Sequence, residues 1–213
     1  KMSIAAAPTP VAVRRPLAPE ESGRADFYAL LARLFAEAPD AKLLQSLAIA
    51  PVLDGDGVDP DLAAAWSALV AASAVFDVEA AAEEYERLFV GVGPSLVPIF
   101  LGFHAGASSA DHPRVRIRHD LAALGLAPRE GNHQPEDHFA LLFEAMRVMT
   151  GGTPVAAAAP VHSQRGLYEP DRAPGVFRSR EARGGVAEAN YYRRVAAFGA
   201  AFMKIEQQSF NLG

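Results

Sequence analysis

At 213 residues, 50% of them hydrophobic and 21% charged, the chain is long enough for one domain with its own core, and its composition excludes a disordered tail. It has no cysteine, which excludes disulfides, thiolate metal sites, iron–sulfur ligation and a thiol nucleophile together. A net charge of -5 offers no basic footprint for nucleic acid and leaves basic partners slightly favoured.

In chain order, Arg14 and Arg15 come first, a twin-arginine pair that could open an export signal. The continuation from Pro16 to Asp26 lacks the apolar run of about 7–15 residues that such a signal requires. Residues 1 to about 20 therefore read as a flexible Ala- and Pro-rich leader, followed by a single domain over 21–213. No later run nears the roughly 20 apolar residues of a membrane span, so no stable membrane insertion is expected, and a cytoplasmic location is.

The first helix is predicted from about Arg24 to Ala36, with Phe27, Leu30, Leu31, Leu34 and Phe35 at helical spacing and Pro39 beyond its end. Asp40 is a natural N-cap for a second helix over Ala41–Ala48. The run Leu53–Asp59 breaks regularity, after which Asp59 and Pro60 read as N-cap and N1 of a third helix that buries Leu62, Trp66, Leu69 and Val70. Asp77 repeats the device for a fourth helix, Val78 to about Val90, ended by Gly91. Residues 91–110 read as an ordered loop whose apolar insert, Leu96 to Phe103, lies over the core. A fifth helix is expected from about His112 or Pro113 to Leu124, capped by Gly125, and a sixth from Pro135 to the Gly151-Gly152 stop. An irregular loop over about 151–185 precedes a last helix from about Ala187 to Ser209, striped by Tyr191, Val195, Phe198, Phe202 and Ile205. Alternating strand patterns are missing, so the expected fold is an all-α bundle of about seven helices with no sheet.

Two segments carry the functional signal. Tyr85, Leu88 and Phe89 fall at i, i+3 and i+4 on one face of the fourth helix, just before Gly91; ordinary core packing accounts for that spacing equally well. Pro135, Glu136, Asp137 and His138 open the sixth helix, where carboxylates in a first turn also serve as plain complements to the helix dipole.

In this order and about 45 residues apart, the two segments resemble the signatures of the TorD/DmsD/NarJ family of redox-enzyme maturation chaperones. The family pattern aromatic-x-x-Leu-Phe-x-Gly is matched by Tyr85, Leu88, Phe89 and Gly91. Glu-Pro-x-Asp-His is matched by Pro135, Asp137 and His138, with Gln134 in place of the usual Glu. The first helix, the segment Asp120–Pro128 and the last helix are also similar, so the resemblance covers about residues 24–150 and the C-terminal helix. The family's additional helical segment with a Phe-x-x-His-Leu-x-x-Trp character is replaced by the Gly-, Pro- and Arg-rich stretch Gly166–Val186.

The resemblance implies a TorD-like helical bundle with no catalytic residue, no metal and no cofactor. It implies a partner, the precursor of a molybdenum-containing oxidoreductase subunit, whose signal peptide or N-terminal segment is held for cofactor insertion and for Tat export or assembly. The client carries basic residues followed by an apolar stretch. An apolar face with Tyr85, Leu88 and Phe89, covered by the loop around Pro98, would form the groove and Glu136 and Asp137 would face the arginines, with Gly91, Pro135 and His138 completing the peptide-binding set. Relatives exchange helices between chains, so the expected state is a monomer or a domain-swapped homodimer.

Rival readings exist in other classes. His104, His112, His119, His133 and His138 with Asp111, Asp120 and Asp137 could assemble a metal-dependent enzyme, although no His-Glu-x-x-His is present. Gly91 to Ser95 is glycine-rich but lacks the lysine of a P-loop and follows a helix, not a strand. A purely structural or oligomeric helical protein would also explain each apolar stripe.

Overall fold

Local caps decide where three of the helices begin. The computed structural model describes residues 19–91, 95–101, 113–124, 126, 134–151 and 189–212. Within them α1 spans Pro19–Ala36, α2 Ala41–Ala48, α3 Pro60–Val75, α4 Val78–Tyr85, α5 Pro113–Ala123, α6 Phe139–Thr150 and α7 Tyr191–Leu212. As the sequence predicts, Asp40 accepts the Leu43 N–H at 2.7 Å and Asp59 accepts the Leu62 N–H at 3.0 Å, with Pro60 in the first turn of α3. Asp77 accepts the N–H groups of Glu79 and Ala80 at 2.9 and 3.2 Å. The architecture is all-α, with seven helices and no strand among the described residues.

Four boundaries differ from expectation. The first helix begins at Pro19, ahead of Arg24, and the last spans Tyr191–Leu212. α4 ends at Tyr85, and Glu86–Val90 continue it as one π-helical turn closed by the Gly91 N–H on the Glu86 carbonyl at 2.8 Å. α6 starts at Phe139, not Pro135: the Pro135 carbonyl accepts the His138 N–H at 3.0 Å in a tight turn that precedes the helix. Val70 is only partly buried, packed on the edge of the core. Residues 1–18 of the expected leader, residues 152–185 of the expected irregular loop, and Gly125 lie outside the described residues.

α1 is the shared wall of the core. On one side Phe35 meets the rings of Phe139 and Phe143 and Tyr28 meets Phe143, so the contacts run in opposite order along α1 and α6. On another side Phe27 packs against Trp66 of α3 and Phe198 and Phe202 of α7, with ring centroids 5.0 to 5.4 Å apart. Two hydroxyls finish the C-terminal end of α1: Tyr85 donates to the Phe35 carbonyl at 3.3 Å and Tyr192 to the Leu34 carbonyl at 3.0 Å.

Two buried carboxylates fasten α7. Glu206, 1% exposed, accepts both the Nε and an Nη of Arg24 and the hydroxyl of Tyr28, each at 2.7 Å. Glu84, buried on α4, caps the start of α7 by accepting the N–H groups of Asn190, Tyr191 and Tyr192 at 2.8, 3.2 and 2.6 Å. A buried amide without a partner costs about 1–3 kcal/mol, so Glu84→Ala is expected to lower stability by about 3–5 kcal/mol in urea denaturation. Glu84→Gln keeps one acceptor oxygen and should cost about half as much.

Candidate functional site

The first motif turns inward. Tyr85 and Phe89 are each 6% exposed and Leu88 1%. Burial pushes the Tyr85 hydroxyl's pKa up, and the hydroxyl is spent on the Phe35 carbonyl of α1. The Phe89 ring lies 5.7 Å from Phe35 and 4.9 Å from Tyr192, which ties α4 to both α1 and α7. Core packing, one of the two uses that the spacing left open, is therefore what these three side chains do. Gly91 ends the π turn at φ 53° and ψ 164°, a backbone region that side-chain-bearing residues rarely occupy.

The second motif splits into an outer residue and two inner ones. Glu136 faces Arg114 and Arg118 of α5: Arg114 Nε donates to Oε2 at 2.8 Å and Arg118 Nε to Oε1 at 2.7 Å. These arginines, Arg118 first, hold the Glu136 carboxyl down at about 2. Asp137 and His138 are 6% and 4% exposed. The His138 Nδ1 accepts the Ala140 N–H at 3.1 Å as the N-cap of α6, which places the proton of the neutral ring on Nε2. Burial lowers the His138 pKa to about 4, against the opposing pull of the Asp137 carboxylate.

The segment 95–101 joins the two motifs. The Val97 N–H donates to the Leu88 carbonyl at 2.9 Å, satisfying one of the free carbonyls at the end of the π turn. Four residues further on, the Leu101 N–H donates to the Asp137 carbonyl and the Phe139 N–H to the Ile99 carbonyl, both at 2.9 Å, forming one antiparallel bridge between Phe100 and His138. The Phe100 ring stands edge-on to the His138 ring at 5.2 Å. Val97, Ile99 and Leu101 are buried, Pro98 and Phe100 half-buried, and Leu96 50% exposed. As expected, this part of the apolar insert covers the core; Phe103 lies outside the described residues. Burial alternates along this segment, whereas its sequence is continuously apolar and carries no alternation from which an extended conformation could be read.

The sequence reading missed the partners of Glu136, because Arg114 and Arg118 stand 22 and 18 residues before it with no local pattern to announce them. It also missed Val90 and Leu96, 52% and 50% exposed, which flank the junction of the π turn and the extended segment. The rival constellations do not come together among the described residues. Among the described residues no group of three or more His, Asp or Glu could hold a metal ion. His138 is a helix cap, and the His119 side chain, 84% exposed, lies 3.8 Å from the Asp120 carboxylate. His104, Asp111, His112 and His133 lie outside the described residues, as do Val92 to Pro94 of the glycine-rich run.

Two outcomes follow from this geometry. As pH falls, the unfolded chain takes up the His138 proton near 6.5 and the native chain only near 4, so stability should drop by about 3 kcal/mol between those values and level off below. The Glu136 contribution, present above about 4.5, should be lost only as pH falls toward 2. Urea midpoints across pH should show the upper step, and His138→Asn, which keeps a capping acceptor, should abolish it. Among the described residues a Cβ at Gly91 meets no atom within 4 Å, so the expected cost of Gly91→Ala, about 1–3 kcal/mol read from the same denaturation curves, is backbone strain.

The comparisons fit these two motifs. A model of the family described as nitrate reductase delta subunit matches residues 56–171, more than half of the chain, and takes in both segments and the bridge between them. A search of curated proteins gives no match. On the strength of the family match, the chain belongs to the nitrate reductase delta subunit family, the TorD/DmsD/NarJ-type maturation chaperones of molybdoenzymes, which are not enzymes.

Proposed function

We propose that this chain binds the signal peptide or N-terminal segment of a molybdoenzyme catalytic subunit in the cytoplasm and holds it during cofactor insertion, before Tat export or assembly. The observation that carries the reading is the junction of the two motifs by residues 95–101. That segment defines one extended path, with exposed Val90 and Leu96 at one end, half-buried Pro98 and Phe100 along it, and Glu136 beside the far end. An elongated client with basic residues ahead of an apolar run has the matching order of chemistry: guanidinium to Glu136, apolar side chains along Phe100, Pro98 and Leu96.

In this arrangement Tyr85, Leu88, Phe89, Gly91, Pro135, Asp137 and His138 serve binding by holding the path in place. They fix the π turn, the bridge and the start of α6, while Pro98, Glu136 and the exposed Leu96 and Val90 meet the client. Apolar burial supplies most of the affinity, since exposed charge pairs contribute little.

Leu96→Asp tests this directly, because a half-exposed side chain can be changed without opening the core. The full chain carrying it is expected to bind a synthetic twin-arginine signal peptide at least about tenfold more weakly, with an unchanged thermal midpoint. It should likewise lose co-purification of a molybdoenzyme catalytic subunit from the native cytosol. Unchanged affinity in the folded variant would sink the proposal.

A further inference from the structure

We infer that Arg114 and Arg118 of α5 are an internal stand-in for the client's arginines, occupying the Glu136 carboxylate until a peptide with paired guanidiniums displaces them. The inference rests on the reading of the site proposed above and concerns its regulation.

The two arginines lie one helical turn apart, so their side chains emerge on the same face of α5. Each gives its Nε to a different oxygen of Glu136, at 2.8 and 2.7 Å, so the carboxylate is engaged from both sides. The Arg114 and Arg118 side chains are 45% and 59% exposed, whereas Glu136 beneath them is 15% exposed. Such half-hydrated arms exchange readily, because water compensates each guanidinium that swings away.

The pairing is not what anchors α5. Ile117 and Leu121, 4% and 7% exposed, bury the neighbouring stripe of that helix in the core. Freeing the arginines therefore leaves α5 in place and uncovers an acidic group of the valence that a twin-arginine segment needs. Exchanging two internal guanidiniums for two from the client conserves charge, so the client's arginines contribute little net affinity in the intact chain. The displaced arms also remain close enough to repel an incoming cation. The clamp thus keeps a lone basic residue from holding the site and makes apolar fit the entry requirement.

The test is a cycle on the full-length chain. Wild type and R114Q/R118Q are each titrated with a synthetic peptide bearing Arg-Arg ahead of an apolar run, and with its Gln-Gln counterpart. Wild type should prefer the Arg-Arg peptide by about twofold or less, and the double variant by about tenfold or more. Adding Glu136→Gln should erase the preference gained. An equal Arg-Arg preference in wild type and double variant would show that the clamp merely fastens α5 to α6, and would overturn the inference. Failure of both chains to bind either peptide is a separate result that overturns the site reading itself. If circular dichroism shows the double variant unfolded, R118Q alone decides the matter: a preference of about threefold supports the clamp, and a wild-type preference rejects it.

Discussion

The start of α6 poses a problem that no neighbouring residue in the sequence solves alone. Its first amides lie under a covering segment, where an unpaired N–H costs about 1–3 kcal/mol. The Ile99 carbonyl takes the Phe139 N–H and the His138 ring takes the Ala140 N–H, so the covering segment and the helix each complete the other. Everything at the candidate site hangs from this exchange: the placing of Phe100 on His138, the burial of Asp137, and the exposure of Glu136 toward α5. The same solution recurs at two other helix ends. Tyrosine hydroxyls from α4 and α7 finish α1, and a carboxylate from α4 starts α7. Each such end ties a local structure to a distant one, which makes the bundle cooperative.

This division explains what could be read without coordinates. α2, α3 and α4 carry their own aspartate caps, and their starts are legible to the residue in Asp40, Asp59 and Asp77. The start of α6 was misplaced by four residues, because Pro135 looks like an N1 proline and the acceptor that moves the helix start to Phe139 belongs to Ile99, forty residues earlier in the chain. The π turn was likewise invisible: Glu86 to Val90 has ordinary helical composition, and Gly91, whose φ of 53° takes the chain out of the turn, marks an end without telling a π turn from an α-helical one. Apolar periodicity predicted the stripes of α1 and α7 because burial is a property of spacing. It could not predict Glu84 or Glu206, whose partners lie more than a hundred residues away.

The motifs themselves turn out to encode architecture. Tyr85, Leu88 and Phe89 make a recognisable pattern because the two rings pack between Phe35 of α1 and Tyr192 of α7 and Leu88 is buried in the same core, where size and shape are tightly constrained. Exposed side chains such as Leu96 and Val90, to which the proposal above gives the client contact, sit where many residues would be tolerated, and so leave no pattern in one sequence. Glu136 is intermediate: its position is set by the turn that begins at Pro135, but its charge is answered by arginines that only the fold brings near.

The electrostatic balance at this surface then bears on how a client is chosen. At neutral pH buried His138 is uncharged and the single negative charge of Glu136 faces the two guanidiniums of Arg114 and Arg118, so these groups sum to a net positive charge and present no open acidic mouth. A cluster of that sign does not draw cations from a distance, which would demand a negative field. On the function proposed above, discrimination would arise after contact, from the length of apolar side chain that can be laid against Phe100, Pro98 and Leu96, with the basic end of the client read only once that fit has been made. Such a sequence of events would suit a client that must be held and later released: the apolar contact would supply affinity, and the arginines that pair with Glu136 in the structure would be on hand to reclaim it when the client leaves.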